Sequence, residues 1–256
     1  MRLRVTCELK RETAFPVNHQ HALCSLTYGL LRQSDPEFAR TLHDEGYKAG
    51  EDARRVKLFC FSTLRAPKQR RRIVGETLWL GPGTVGWVVS SPCASFLTHF
   101  ATGLLNRGGL QVGEKVLPIV QAQTCPTPDF GSGAAHLTCL TPIVASIPDE
   151  KGKRYLRPGD TAAFSDALHR NLLRKYAALH GHAPDASASF TLTWDADYLA
   201  RNPNGGQKKI CFKGIDVIGV QAPCTISGTP ALLELAYDSG LGELNSSGFG
   251  MIEVQR

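Results

Sequence analysis

The sequence predicts an α+β fold made of two tandem βαββαβ units, on three observations. Strand-like alternation and helix-like apolar stripes recur in similar order in the two halves of the chain. Residues 123–135 are rich in Pro, Gly, Thr and Ser, as a linker would be. With 256 residues, 42% hydrophobic and 20% charged, the chain has material for two ordinary cores.

In the first half, residues 2–9 alternate as a strand. Asn18, after Pro16, is placed to cap a helix running to about Arg32, with Leu23, Leu26, Leu30 and Leu31 on its buried side. Ser34-Asp35-Pro36-Glu37 then stops that helix and starts another, Asp35 as cap and Pro36 at the first helical position. The second helix is short, turns Phe38 and Leu42 inward, and ends near His43 before Gly46. A charged loop leads to a strand over 57–64. Beyond a tip at 67–72, strands are expected at 73–80 and 84–90, joined by Gly81-Pro82-Gly83. Ser91-Pro92 opens a helix to about Leu105, and 111–122 returns as a strand.

The second half starts with a strand at 136–146. A long amphipathic helix follows at 160–180, with Phe164, Leu168, Leu172 and Tyr176 inward. Strands are expected at 187–194, 210–220 and 232–237, and a last one from Phe249. Pro223 to Pro230 leaves little room for a second helix, which is therefore expected to be missing or reduced. Two ferredoxin-like domains, 1–124 and 136–256, are the simplest architecture. Sheets of this kind often serve as RNA platforms.

No run of eighteen apolar residues is present, so no membrane span is expected, and the first residues lack a signal-peptide core. The eight cysteines lie far apart, form no Cys-x-x-Cys pair and sit mostly in apolar runs. That is the habit of free thiols in a reducing compartment and points to the cytoplasm. Net charge is +6, with basic clusters at Arg54, Arg55 and Lys57, at Lys68, Arg70, Arg71 and Arg72, at Arg170, Arg174 and Lys175, and at Lys208, Lys209 and Lys213. Any one cluster can be a solvated loop. Four together, with no balancing acidic run, favour a polyanion, and nucleic acid suits them better than a membrane.

Residues 240–250 read Gly-Leu-Gly-Glu-Leu-Asn-Ser-Ser-Gly-Phe-Gly, a loop whose amides can form an anion-binding nest. On the first helix, at about 100° per residue, His21, Ser25, Tyr28 and Arg32 share one polar stripe. That stripe can equally be a solvated face. His43 closes a short helix, where the dipole favours the imidazolium while Arg54, Arg55 and Lys57 oppose it. A histidine there can be a cap, a core partner or a catalyst. The chain carries no P-loop, nucleophile elbow or acidic pair at metal spacing, and no carboxylates follow His19-Gln20-His21. Phosphodiester chemistry without a metal or cofactor is open to RNA, whose 2′-hydroxyl attacks the adjacent phosphate once His, Tyr and Lys orient it and move protons.

Asn18-His19-Gln20, Leu26, Tyr28, Leu42-His43, Lys57-Leu58-Phe59, Leu140-Thr141-Pro142-Ile143 and above all the 240–250 loop occur in an order that resembles the CRISPR-associated repeat endoribonucleases of the RAMP superfamily. The resemblance spans nearly the whole chain and is weakest across 65–130 and 180–230. It implies metal-independent cleavage of precursor CRISPR RNA within the repeat, leaving a 2′,3′-cyclic phosphate and a 5′-hydroxyl. By that similarity His43 transfers the proton, Lys57 stabilises charge on the phosphate and Tyr28 positions an oxygen. The loop from Asp44 to Val56 is long for the family, so Lys48, Arg54 or Arg55 can stand in for Lys57, and His19 and His21 remain candidates.

The resemblance also places the glycine loop against the first helix, with Gly240, Gly242, Asn245, Ser246, Ser247, Gly248 and Gly250 on the RNA backbone. Arg54, Arg55, Lys68, Arg70, Arg71, Arg72, Lys208, Lys209 and Lys213 would grip the repeat. Homodimerisation and a place in a CRISPR effector complex stay open as partnerships. Two rivals remain: a non-catalytic repeat-RNA-binding protein, and a structural RAMP subunit of an effector complex. Gly248-Phe249-Gly250-Met251-Ile252-Glu253-Val254 matches half of an RNP1 signature, but positions 251 and 254 lack its stacking aromatics.

Overall fold

The computed structural model describes residues 1–48, 50, 55–150 and 152–255. The first half contains β1 (Arg2–Leu9), β2 (Thr13–Pro16), α1 (Gln20–Ser34), α2 (Pro36–Asp44), β3 (Cys60–Phe61), β4 (Arg71–Val74) and β5 (Thr77–Leu80). It continues with β6 (Gly83–Ser90), α3 (Ala94–Leu105), β7 (Gly109–Val112) and β8 (Lys115–Cys125). Its main sheet has the antiparallel order β3-β6-β1-β8-β7. Leaving aside the β7 extension, this is the strand order of a ferredoxin-like unit. Along β1, Leu3, Val5, Cys7 and Leu9 alternate into the core while Arg2 and Arg4 take the opposite face. The core centres on Trp87, Phe59, Phe61, Phe96 and Phe100, all essentially sealed from solvent. Each such side chain contributes about 1.5–3 kcal/mol of transfer free energy.

The second half contains β9 (Ala134–Cys139), β10 (Ser146–Asp149), β11 (Gly152–Tyr155), α4 (Thr161–His180), β12 (Phe190–Trp194) and α5 (Ala196–Arg201). After these come β13 (Gln207–Phe212), β14 (Ile215–Val220), β15 (Cys224–Gly228), α6 (Pro230–Ser239) and β16 (Ile252–Val254). The sheet order β12-β15-β9-β16 repeats that of the first half, so the tandem ferredoxin-like expectation is met.

Several details differ from expectation. The second helix of the second unit is not reduced: residues 230–239 form α6 where a strand over 232–237 was expected. Pro230 stands at its first turn, and Leu232, Leu233, Leu235 and Ala236 are buried while Ala231 and Glu234 are exposed, a helical period. The strand expected over 57–64 shrinks to two residues, preceded by Leu58 in a left-handed conformation at φ 48°. Three expected single strands are instead hairpins with two-residue turns: β4–β5, β7–β8 and β13–β14. Asn18 lies outside α1, whose N-cap is His19, whereas Asp35 does cap α2, accepting from the Phe38 amide at 2.9 Å.

The halves meet along β3 and the 240–250 loop. Cys60 and Val88 pack with Leu140 and Met251, and the Arg2 guanidinium lies 3.3 Å from the centre of the Tyr237 ring. All eight cysteines are free. Among the described residues no helix is long and apolar enough to cross a membrane.

Candidate active site

Helix α1 buries Leu23, Leu26, Thr27, Leu30 and Leu31 and turns His21, Ser25 and Arg32 to solvent, with Tyr28 half-buried on the same side. Helix α2 folds back from Asp35 and brings His43, at its last turn, to Tyr28. Their rings meet edge to face with centroids 5.1 Å apart, and the Phe59 ring also packs edge to face with the phenol at 5.8 Å. Lys57 completes the cluster. Its ammonium donates to the carbonyls of Leu42 and His43 and so caps α2, where the helix dipole favours a cation.

The His43 side chain is 63% exposed, and its Nδ1 lies 2.8 Å from Asp44 Oδ1. Among the described residues that contact leaves Nε2 without a hydrogen-bond partner. The hydrogen bond to His43 also holds the Asp44 carboxyl below the usual carboxylate range. Burial pushes the Tyr28 hydroxyl well above the ordinary phenol range, so it stays protonated and serves as a donor. Burial also lowers Lys57, with Arg55 reinforcing the shift and Asp44 opposing it.

The other candidates separate cleanly. His19 is buried: Nδ1 bonds the Pro16 carbonyl at 2.9 Å and Nε2 accepts from the Leu64 amide at 3.1 Å. Both ring nitrogens are occupied in the neutral form, and burial lowers its pKa further, so the structure gives His19 a structural place rather than a catalytic one. His21 is exposed and packs its ring edge on Phe212 of β13, 5.6 Å between centroids. The β13–β14 hairpin therefore flanks α1. Its turn residue Lys213 and Lys57 both place positive charge near the Cys24 thiol, one helical turn before Tyr28. Lys208 is exposed beside it, and Lys209 pairs with Asp216 at 2.7 Å.

The remaining basic residues scatter. Arg55 donates to the Asp44 carbonyl at the site, and Arg54 lies outside the described residues. Arg70 folds back onto the Pro82 and Thr84 carbonyls, while Arg72 pairs with Glu12 over the Trp79 ring. Lys68 and Arg71 are exposed. Lys175, grouped with Arg170 and Arg174 by sequence, is buried.

The glycine loop packs on α1 as expected: Gly248 sits against the Phe61 ring and Gln20, and the Ser246 carbonyl accepts from Cys24 Sγ at 3.2 Å. The outward nest of amides is corrected. Gly240, Gly242, Asn245, Gly248 and Gly250 are buried, and the Gly248 and Gly250 amides donate to the Asn245 and Pro142 carbonyls. Of the loop residues expected to contact RNA, Ser246 and Ser247 are half-buried and the others are buried. The sequence did not single out Arg4 and Arg65, which line a cleft of about 410 Å³ with Thr6, Thr84 and Glu253, Arg4 pairing with Glu253 at 3.5 Å. Arg4 could have been found from strand alternation, which sets it opposite the core face of β1.

Tandem ferredoxin-like halves are closed by a buried glycine-rich loop beside the Tyr28–His43–Lys57 cluster. The family models "CRISPR-associated protein Cas6, N-terminal" and "CRISPR associated protein Cas6, C-terminal" match residues 14–122 and 125–254. The chain belongs to the Cas6 family. It is 28% identical to a CRISPR-associated endoribonuclease Cas6 1 of Methanocaldococcus jannaschii, over 98% of this chain and 92% of that protein. It is 27% identical to a CRISPR-associated endoribonuclease Cas6 of Pyrococcus furiosus, over 94% and 83% respectively. A solved structure described as CRISPR associated protein Cas6 superposes with a TM-score of 0.77 at 27% identity, covering 100% of this chain and 99% of that one.

Proposed function

We propose that this protein is an endoribonuclease that cuts precursor CRISPR RNA within the repeat, by attack of a 2′-hydroxyl on the adjacent phosphate. Products are a 2′,3′-cyclic phosphate and a 5′-hydroxyl. One observation carries this reading: Tyr28, His43 and Lys57, from three separate segments, converge at one partly exposed spot, with the Tyr28 and His43 rings 5.1 Å apart and the Lys57 ammonium on the His43 carbonyl. The similarity to proteins named endoribonucleases supports it.

The chemistry follows from the side chains. His43 Nε2 moves the proton between the ribose hydroxyl, the departing 5′-oxygen and solvent. The protonated Tyr28 hydroxyl donates to a reacting or phosphate oxygen. Lys57 has three N–H donors and uses two on carbonyls. The third is left to meet the charge that builds on the phosphate oxygens. These groups supply each step without a metal.

Repeat RNA incubated in EDTA is expected to be cut at one position, with cyclic phosphate and 5′-hydroxyl termini. The same RNA with a 2′-deoxyribose at the scissile nucleotide is expected to bind and stay whole. Cleavage of the deoxy substrate, or an absolute need for a divalent cation, sinks the mechanism. Binding should weaken steeply with salt, on the order of 10³-fold or more between about 50 and 200 mM if six or more phosphates are held. A flat salt response rules out the basic surface as the RNA grip.

A further inference from the structure

One buried basic side chain takes no part in the reaction above. Lys175 lies on α4 and is 3% exposed. Its Nζ donates to the Gly240 carbonyl at 2.6 Å and to Asn245 Oδ1 at 2.7 Å. Asn245 passes the hold on, because its Nδ2 donates to the Leu241 carbonyl at 3.0 Å and the Phe249 carbonyl at 3.1 Å. Both arms of the 240–250 loop are thus tied to one point. The titratable groups facing Lys175 are the Cys60 thiol of β3 and Arg174 on its own helix. Burial drives its pKa down to about 7; Cys60 opposes that shift and Arg174 reinforces it.

Among the described residues Lys175 has no carboxylate partner; a lysine buried in that way is a costly means of filling space, and an apolar residue would pack there at less expense. Its benefit lies in what it holds. The next residue after Asn245, Ser246, accepts from Cys24 Sγ one turn before Tyr28, and Gly248 rests on Gln20, the first residue of α1. We propose that Lys175 is a positioning residue for the Tyr28–His43–Lys57 site, acting through the 240–250 loop on helix α1. This inference rests on the function proposed above.

Lys175→Met keeps the length and apolar bulk of the side chain and removes both donors. The amides of Leu241, Glu243 and Gly250 donate to the Gly250, Val144 and Pro142 carbonyls, and they report whether the loop is closed. Their hydrogen exchange is expected to quicken about tenfold or more in the variant. Single-turnover cleavage at saturating enzyme should slow by roughly 10–100-fold, as for misplaced reacting groups. The Kd for the 2′-deoxy repeat RNA should stay within about threefold, since the effect falls on the chemical step. Lys175→Gln, which retains an amide donor, should recover part of both losses.

The variant is expected to fold. A lysine with a folded pKa of about 7, below its ordinary 10.5, penalises the native state in full below pH 7. That penalty fades as pH rises from about 7 towards 10.5, and Lys175→Met should abolish this rise in stability. If the variant fails to fold, Asn245→Ala cuts the same link and carries the same expectations. Loop amides as protected as in the wild type overturn the proposal, and so does full-rate cleavage with the loop exposed. Absence of cleavage by the wild type overturns the functional reading instead, while the exchange of 241–250 still decides whether Lys175 closes the loop.

Discussion

His43→Ala is expected to cut repeat RNA about 10²–10⁴-fold more slowly than the wild type, the usual contribution of one general acid–base group. Its affinity for uncut RNA should be nearly unchanged. The split between rate and affinity is what the geometry demands. The imidazole is mostly exposed, and among the described residues its contacts are the Tyr28 ring and the neighbouring Asp44. Removing it leaves no cavity, so stability should move by no more than about 0.5 kcal/mol, as for ordinary surface changes. The Lys57 clamp uses the backbone carbonyl of residue 43 and survives the substitution. Single-turnover kinetics at saturating enzyme, with a filter-binding Kd on the 2′-deoxy substrate, check both halves. A variant that cuts at the wild-type rate removes His43 from the mechanism and returns attention to His21.

Much of this arrangement could be read from local signals. Asp35-Pro36 marked a helix start, and the polar stripe of α1 put Tyr28 on the accessible side, as found. The same signal at Thr229-Pro230 marks the start of α6, where an apolar run had suggested a strand. The three missed hairpins share a cue as well. Val74-Gly75-Glu76 and Val112-Gly113-Glu114 contain the turns of two of them, with both glycines at positive φ. Lys213-Gly214 turns the third, with φ 53° and 77°. Positive φ at such turns matches the twist of the paired strands, so a glycine inside an alternating run should have divided it.

The choice among histidines was not legible. His19 is settled by the Leu64 amide, a partner 45 positions away that no pattern around residue 19 announces. Lys175 was hidden for the same kind of reason. Helical periodicity pointed to its neighbour Tyr176 as the inward residue, and only the loop arriving from residues 240–245 gives a lysine something to bond in the interior.

The loop itself supplies the largest expected effect on stability. Gly250→Ala should lower stability by more than about 3 kcal/mol, combining left-handed strain of about 1–2 kcal/mol with a steric clash. Gly250 has φ 74°, and a Cβ built on it runs into the Leu241 carbonyl oxygen and approaches the Asn245 amide nitrogen to 2.6 Å. The Leu241 oxygen belongs to backbone that Asn245 already holds, so neither neighbour can yield without opening the loop. Gly181 is the control. It too is left-handed, at φ 78°, but its Cβ would meet nothing within 4 Å, so Gly181→Ala carries the strain alone. Thermal melts should therefore place Gly250→Ala at least about 6 °C below the wild type, and Gly181→Ala about 2–8 °C below it and above Gly250→Ala. Equal melting points for the two variants would mean that the loop relaxes freely. Its buried amides would then be an accident of packing rather than the closure that holds α1 beside the second half.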